Sequence, residues 1–368
     1  MKVIYPKVER GIVNRATNTF FKYQGWPTVA RDEAGTLYVA SSSFRIYHVC
    51  PFGKTAMYIS KNGGRTWTPP IVINDTYLDD RDGGLLYAGN GRLILTWFTL
   101  PGRDLRTEYL PYITDMVTPQ ESVANMGMVE AVEMLTDEEL EGGSWLRVSE
   151  DYGVTWSEAV RMPISAPHGP NVCKDGSLVY IGLEYLSRGE LPSRCIALYK
   201  SFDGGYSWEK KSIITPPDWL VDDEFLDEPH IMELPDGRLL AAFRIENHKP
   251  SFTVATAVSE DGGESWSELV CTDVSGSPPH LMIHSSGAIV CSFGRRQAPF
   301  GERATVSYDY GKTWSEEYVL DESPSGDLGD PSTVELDDGS LMTVYYQKYE
   351  GDKKCSILYT RWRLDGGK

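Results

Sequence analysis

SKNGGRTW (Ser60–Trp67), SEDYGVTW (Ser149–Trp156), SFDGGYSW (Ser201–Trp208), SEDGGESW (Ser259–Trp266) and SYDYGKTW (Ser307–Trp314) repeat one eight-residue phrase. Each opens on Ser, carries Asp or Asn two positions on and Gly two after that, and closes with Ser or Thr followed by Trp. The pattern is that of a hairpin turn. The Asp or Asn side chain can bond nearby backbone amides, Gly supplies a positive φ, and Trp packs beneath the turn. Segments leading into the boxes, such as CIALYKS, FTVATAVS and RATVSYD, alternate apolar and polar residues and read as strands. The phrase is structural, so its aspartates are not expected to be catalytic.

Between the boxes runs a second repeat, a turn leading into an apolar strand that a tight Gly turn then interrupts. It occurs six times, from Gly25 (GWPTVARDEAGTLYVA), Leu78, Ala166, Glu228, Pro278 and Gly329 (GDPSTVELDDGSLMTVYY). Six copies predict an all-β fold, a six-bladed β-propeller of four-stranded blades over residues 1–368 as one domain, with the box turns on the rim opposite the mouth. The last copy is followed by a strand, CSILYTRWRL, with no box, so the N-terminal MKVIYPKVERGIV is expected to close the last blade. The boxes begin 89, 52, 58 and 48 residues apart, and the long first interval holds an insertion at about 101–144. Its second half, VANMGMVEAVEMLTDEELEGG, has helical spacing and reads as a cap over one rim, or a substrate lid.

The formal net charge of -18 argues against a nucleic-acid or anionic-membrane surface, since both need a basic footprint. Any anionic ligand must be held by a local cluster of arginines. The first residues lack a secretory h-region and no run of 18 apolar residues occurs, so the expectation is a soluble, cytoplasmic protein, secreted only if a leader preceded it. The six cysteines form no CxxC pair and read as reduced core thiols. Neither a cofactor nor a metal is called for, although the three Pro-His turns carry imidazoles that neighbouring blades could bring together.

In a propeller the turn into each innermost strand opens on the central channel at one face, so these turns should gather in one funnel. They hold Gln24 and Trp26, then Asp79, Asp80, Arg81 and Asp82, then His168, Glu228 with His230, His280, and Asp330. The loops leaving the same strands add Arg45 and His48, Arg244 with Glu246 and His248, Arg295 with Arg296, and Tyr345 with Tyr346.

The boxes resemble the Asp-boxes of bacterial sialidases, and the likeness extends over nearly the whole chain as blade order. DEPHIMELPDGRLLAAFR (Asp227–Arg244) is similar to the sialidase segment bearing an acidic residue and, at its far end, an arginine of the substrate-clamping triad. The resemblance thus implies Glu228 at the glutamate position and Arg244 as the second triad arginine, with Arg295, Arg296 and Arg303 as candidates for the third. Two departures matter. Where sialidases open the first blade with Arg-Ile-Pro, this chain has Gly25, Trp26 and Pro27, and at the position of their nucleophilic tyrosine it has Asp330. The loop that in sialidases carries the general-acid aspartate reads RIYHVCPFGK, with His48 as its proton carrier.

An aspartate at the nucleophile position suits a sugar without an anomeric carboxylate, because two anions would repel there. Guanidinium forks still favour a negatively charged or polyhydroxylated ligand. The expected function is therefore a sialidase-like glycoside hydrolase, exo-acting on an acidic sugar or sialoside-like glycan. Catalysis would fall to Asp330 and Glu228, with Asp80 or Asp82 in reserve and His48 as proton donor. Gln24, Trp26, Arg45, Asp82, His168, His230, Arg244, His280, the three arginine candidates and Tyr346 would bind substrate. The alternatives are a glycan-binding propeller without catalysis and a lyase acting on uronic-acid glycans through a histidine or tyrosine base.

Overall fold

The computed structural model describes residues 3–17, 20–113, 116–221, 224–246 and 252–364. Six antiparallel sheets follow one another along the chain, and each forms one blade of a six-bladed β-propeller. The innermost strands are Tyr23–Arg31, Asp80–Tyr87, Asn171–Val172, Phe225–Glu233, Ser277–Ile283 and Gly329–Glu335. Glu9–Asn14 pairs antiparallel with Cys355–Trp362 and supplies the outer strand of the sixth sheet, so the two ends of the chain meet in one blade. A short strand, Val3–Ile4, adds to the fifth sheet in parallel with its outer strand.

Six clusters of buried apolar side chains each span two neighbouring blades, as where Tyr23, Val39 and Tyr58 of the first pack on Met342, Val344 and Ile357 of the sixth. The box turns help to build these seams. In the fourth box Ser259 and the amide of Ser265 donate to Asp261 Oδ1 at 2.8 and 2.9 Å, and Ser265 Oγ donates to its Oδ2 at 2.5 Å. These bonds hold the Asp261 carboxyl below the usual carboxylate range. Gly263 has φ +100°, and a Cβ there would lie 2.1 Å from Leu198 of the third blade, so the glycine both turns the chain and lets the blades touch.

Asn62 makes the equivalent bonds in the first box, accepting from Thr66 N at 3.0 Å and donating to Thr66 Oγ1 at 2.8 Å. Asp261→Asn should therefore fold, with only a small loss of stability from the weakened turn bond. Urea denaturation checks this, and kcat on any substrate should be unchanged.

The insertion lies between the second and third strands of the second blade. Its helix is Pro119–Val132, beginning and ending earlier than the sequence pattern suggests, because Thr118 and Glu121 form a reciprocal cap ahead of it. Leu105, Val129 and Val132 pack on Leu78, while Tyr109 and Leu110 pack on Tyr47 and Val49. The insertion thus rests against the loop that carries His48. All six cysteines are free, and Cys271 is exposed on an outer strand instead of lying in the core.

Candidate active site

Five of the innermost strands slip register against their neighbours near their first residues, at Gly25/Thr28, Arg81/Gly84, Asp227/His230, Ser277/His280 and Gly329/Ser332. In four of these bulges a non-glycine residue is forced to positive φ: Trp26 at 54°, Asp82 at 49°, Glu228 at 39° and Asp330 at 49°. The left-handed region costs such residues about 1–2 kcal/mol each. Bulges re-aim a side chain, and strain of this kind clusters at functional sites. Here it turns three carboxyl groups from three blades toward one another.

The charges around them are mutually dependent. Arg296 donates to Asp330 Oδ2 at 3.1 Å. Arg244 donates to Glu228 at 2.6 Å, Asp227 at 2.8 Å and Glu246 at 2.9 Å. Burial pushes the Asp330 carboxyl well above its usual range, opposed by Arg296 and reinforced by Glu228 and Asp82. The same causes bring Glu228 up to about 7, with Arg244 opposing, and Asp82 up to about 6, with Arg81 and Arg45 opposing. Near neutral pH Glu228 therefore keeps a share of its proton, as a carboxylic acid must if it is to donate one. Behind it the Tyr346 hydroxyl is buried without a protein partner, next to Arg296 and Asp330 in the local field.

His48 forms a second group at the same rim. Its ring packs edge-on to Trp26, 4.8 Å between centroids, and its Nδ1 lies 3.0 Å from the Tyr23 hydroxyl, which donates to Asp327 Oδ1 at 2.8 Å. Burial lowers His48 to about 4, with Asp327 opposing, so the imidazole is neutral. Arg81 donates to the His48 carbonyl at 3.0 Å and lies over the Trp26 ring at 4.3 Å.

Trp26, His48, Asp82, Glu228, Arg244, Arg296, Asp330 and Tyr346 thus belong to one neighbourhood, with Arg81 and Glu246 at its edge, and the expected residues taken up next do not. Gln24 is buried inside the first blade, where its Oε1 accepts from Asn14 at 2.5 Å and Tyr58 at 3.0 Å. Arg45 is fully buried in a bidentate pair with Asp79, at 2.5 and 2.8 Å. Asp80 is held in a turn by Thr76, whose amide and hydroxyl both donate to it at 3.0 Å. Arg295 is paired with Glu317 at 3.0 Å, and Arg303 is spent on the carbonyls of Glu302 and Asp321. Of the three candidates for the last clamping arginine, only Arg296 therefore reaches the carboxyl cluster. His248 lies outside the described residues.

His168, His230 and His280 meet in the central channel instead, with ring centroids 4.5 to 5.7 Å apart. They line a cavity of about 420 Å³ whose other walls are the far ends of the inner strands, including Arg31, Tyr87, Glu233 and Glu335. His230 Nδ1 accepts the amide of Leu281 at 3.0 Å and His280 Nδ1 that of Thr333 at 3.4 Å. A neutral ring that accepts at Nδ1 carries its proton on Nε2 and has no lone pair left for a metal. Among the described residues no group of three or more His, Cys, Asp or Glu could hold a metal ion.

Tyr23, Asp327, Asp227 and the buried Glu302, whose carboxyl has no protein partner, are the site residues that sequence reasoning missed. Tyr23 and Asp327 each lie three residues before a bulge residue, a spacing that becomes informative only once the bulges are known.

Residues 128–342 match the BNR repeat-like domain. The chain belongs to that family. No curated protein sequence matches it. Among solved structures, a protein of unknown function from Dyadobacter fermentans is 20% identical with a TM-score of 0.74, covering 97% of this chain and 99% of that one. The NanB sialidase of Streptococcus pneumoniae is 14% identical with a TM-score of 0.70, over 96% of this chain and 70% of that one. The intramolecular trans-sialidase of Ruminococcus gnavus is 16% identical with a TM-score of 0.64, over 94% and 96%. At these identities the likeness is one of fold. This BNR repeat-like chain has the sialidase-like propeller, with a carboxyl cluster at its rim.

Proposed function

We propose that the protein is an exo-acting glycoside hydrolase in which Asp330 acts on the anomeric carbon and Glu228 protonates the departing oxygen. The observation that carries this reading is the convergence of Asp82, Glu228 and Asp330, each held at positive φ in a bulge of a different blade. A pair of carboxyl groups with unlike environments is what glycoside hydrolysis requires. The aromatic rings at this rim favour a hydrolase over a lectin, because Trp26 and Tyr346 are buried and leave no open stacking platform.

Between an acidic and an uncharged sugar, the pairing of the arginines favours the uncharged one. Arg244 faces three carboxylates, Arg296 faces Asp330, and Arg81 is engaged by the His48 carbonyl, so a sugar carboxylate would have to displace a partner. The unpartnered Tyr346 hydroxyl beside Arg296 is the one feature that favours the lyase reading. A screen of 4-nitrophenyl glycosides of neutral and acidic sugars, together with uronic-acid oligosaccharides, separates these readings. Released nitrophenol supports a hydrolase, an unsaturated uronate product supports a lyase, and binding without product supports a lectin.

The reading also fixes the alkaline side of the pH profile. The folded Glu228 carboxyl is raised, its acid form is the active one, and that form is lost as pH rises through about 7. The expected result is kcat falling about tenfold per pH unit above that point in steady-state assays, and Glu228→Gln should abolish this limb.

A further inference from the structure

The Tyr23 hydroxyl stands between a carboxylate and an imidazole and has one proton to give. It donates that proton to Asp327 Oδ1 at 2.8 Å, and Asp327 and His48 Nδ1 are 3.6 Å apart, too far for a direct bond. The phenol oxygen is then an acceptor toward His48, so the 3.0 Å contact requires the proton on Nδ1. This leaves the lone pair on Nε2, at the opposite edge of a ring whose side chain keeps 32% of its surface exposed. The Arg45 and Arg81 guanidiniums grip the His48 carbonyl at 2.8 and 3.0 Å, so the backbone beneath the ring is fixed as well.

We propose that Tyr23 and Asp327 are positioning residues that hold His48 in its Nδ1-protonated form, so that Nε2 accepts the proton of the water that attacks the anomeric carbon. This rests on the glycosidase reading, and it reverses the donor role expected for His48. The water oxygen bonds to the anomeric carbon as the bond from that carbon to the Asp330 carboxyl oxygen breaks, its electron pair staying on that oxygen and restoring the carboxylate. The water proton ends on Nε2 and returns to solvent when the imidazolium relaxes.

The charged and titratable groups facing His48 are Asp327, Arg81, Arg296 and Tyr23. Of these, Asp327 raises the imidazole while burial and the two arginines lower it to about 4. The neutral form is the active one, so activity should fall as pH drops through that value.

The tautomer is read without any substrate, by long-range proton–nitrogen NMR on protein labelled with ¹⁵N-histidine, with His48→Gln identifying the resonances. The wild type is expected to carry the His48 proton on Nδ1, and Tyr23→Phe to lose that preference. Kinetics on the glycoside the screen identifies supply the second readout. Asp327→Asn should lower kcat about 10–100-fold with KM within about twofold, the scale of lost outer-shell support, and move the acid limb to lower pH. His48 carrying its proton on Nε2 in the wild type would overturn the proposal. So would an Asp327→Asn enzyme with an unmoved acid limb and normal kcat. If no glycoside is turned over at all, the glycosidase reading fails, and with it the role of the water, while the NMR result still decides whether Tyr23 and Asp327 set the tautomer.

Discussion

Asp330→Asn is expected to lower kcat on the order of 10³-fold or more while leaving Tm unchanged or raised. The kinetic loss follows because a carboxamide can neither attack the anomeric carbon nor activate water, and removing a group that acts in the transition state has this scale. The fold should tolerate the change for three reasons. Asparagine enters the left-handed region readily, so the 49° φ at position 330 is no obstacle. Its carbonyl oxygen can still accept from Arg296, which donates to Asp330 Oδ2 at 3.1 Å. The substitution also removes a buried acid crowded by Glu228 and Asp82. That carboxyl has a raised folded pKa, so its contribution to stability is present at low pH and lost as pH rises through the folded value. An active site that gains stability when its chemistry is removed is the expected trade-off. Kinetics and thermal denaturation of the purified variant test both halves. Near-normal kcat would refute the assignment and move the role to Glu228 or Asp82.

The repeat was legible because the box turn is written in local chemistry. Ser, Asp, Gly and Trp at fixed offsets demand a turn whatever lies around them, and five boxes with six inner-strand copies set the blade count. The site was harder to read for a reason visible in the inner strands. Period-two alternation would put Asp80 and Asp82 on one face, yet Asp80 ties down Thr76 while Asp82 turns into the cluster, because the bulge at Asp82 breaks the period. A clue was present. Trp26, Glu228 and Asp330 each precede a proline inside a strand, and proline is tolerated there only at an edge or a bulge. The arginines misled for a different reason. A guanidinium near the mouth in sequence can be committed elsewhere, as Arg295 is to Glu317 and Arg45 to Asp79, and only the partner's position in space reveals it. The histidines at the Pro-His turns share one level of the channel, but the Nδ1 atoms of His230 and His280 are taken by backbone amides of the next blade and that of His168 meets the Thr28 hydroxyl, contacts with no sequence signature.

Asp79→Asn is expected to be the most destabilising conservative change in the molecule, at about 3–5 kcal/mol, because it leaves the Arg45 guanidinium buried without a counter-charge. Both side chains are fully buried, and the bidentate contact is backed by the Cys50 amide donating to Asp79 Oδ2 at 3.1 Å. The pair has been given room by deletion of a side chain: a Cβ on Gly53 would fall 2.1 Å from Asp79 Oδ1 and 2.2 Å from Arg45 Nη1. For a chain of 368 residues the loss corresponds to about 5 °C in Tm. Asp137→Asn is the control, since Asp137 pairs with Arg103 at 90% side-chain exposure and should cost less than about 1 kcal/mol. The double variant Arg45→Met with Asp79→Leu removes both charges and should recover most of the stability. It should not recover activity, because Arg45 also donates to the carbonyls of Tyr47 and His48 and so fixes the loop that presents the imidazole. Recovery of both together would mean that the buried pair serves packing alone. Recovery of stability without kcat would place it where the structure does, as the anchor beneath His48.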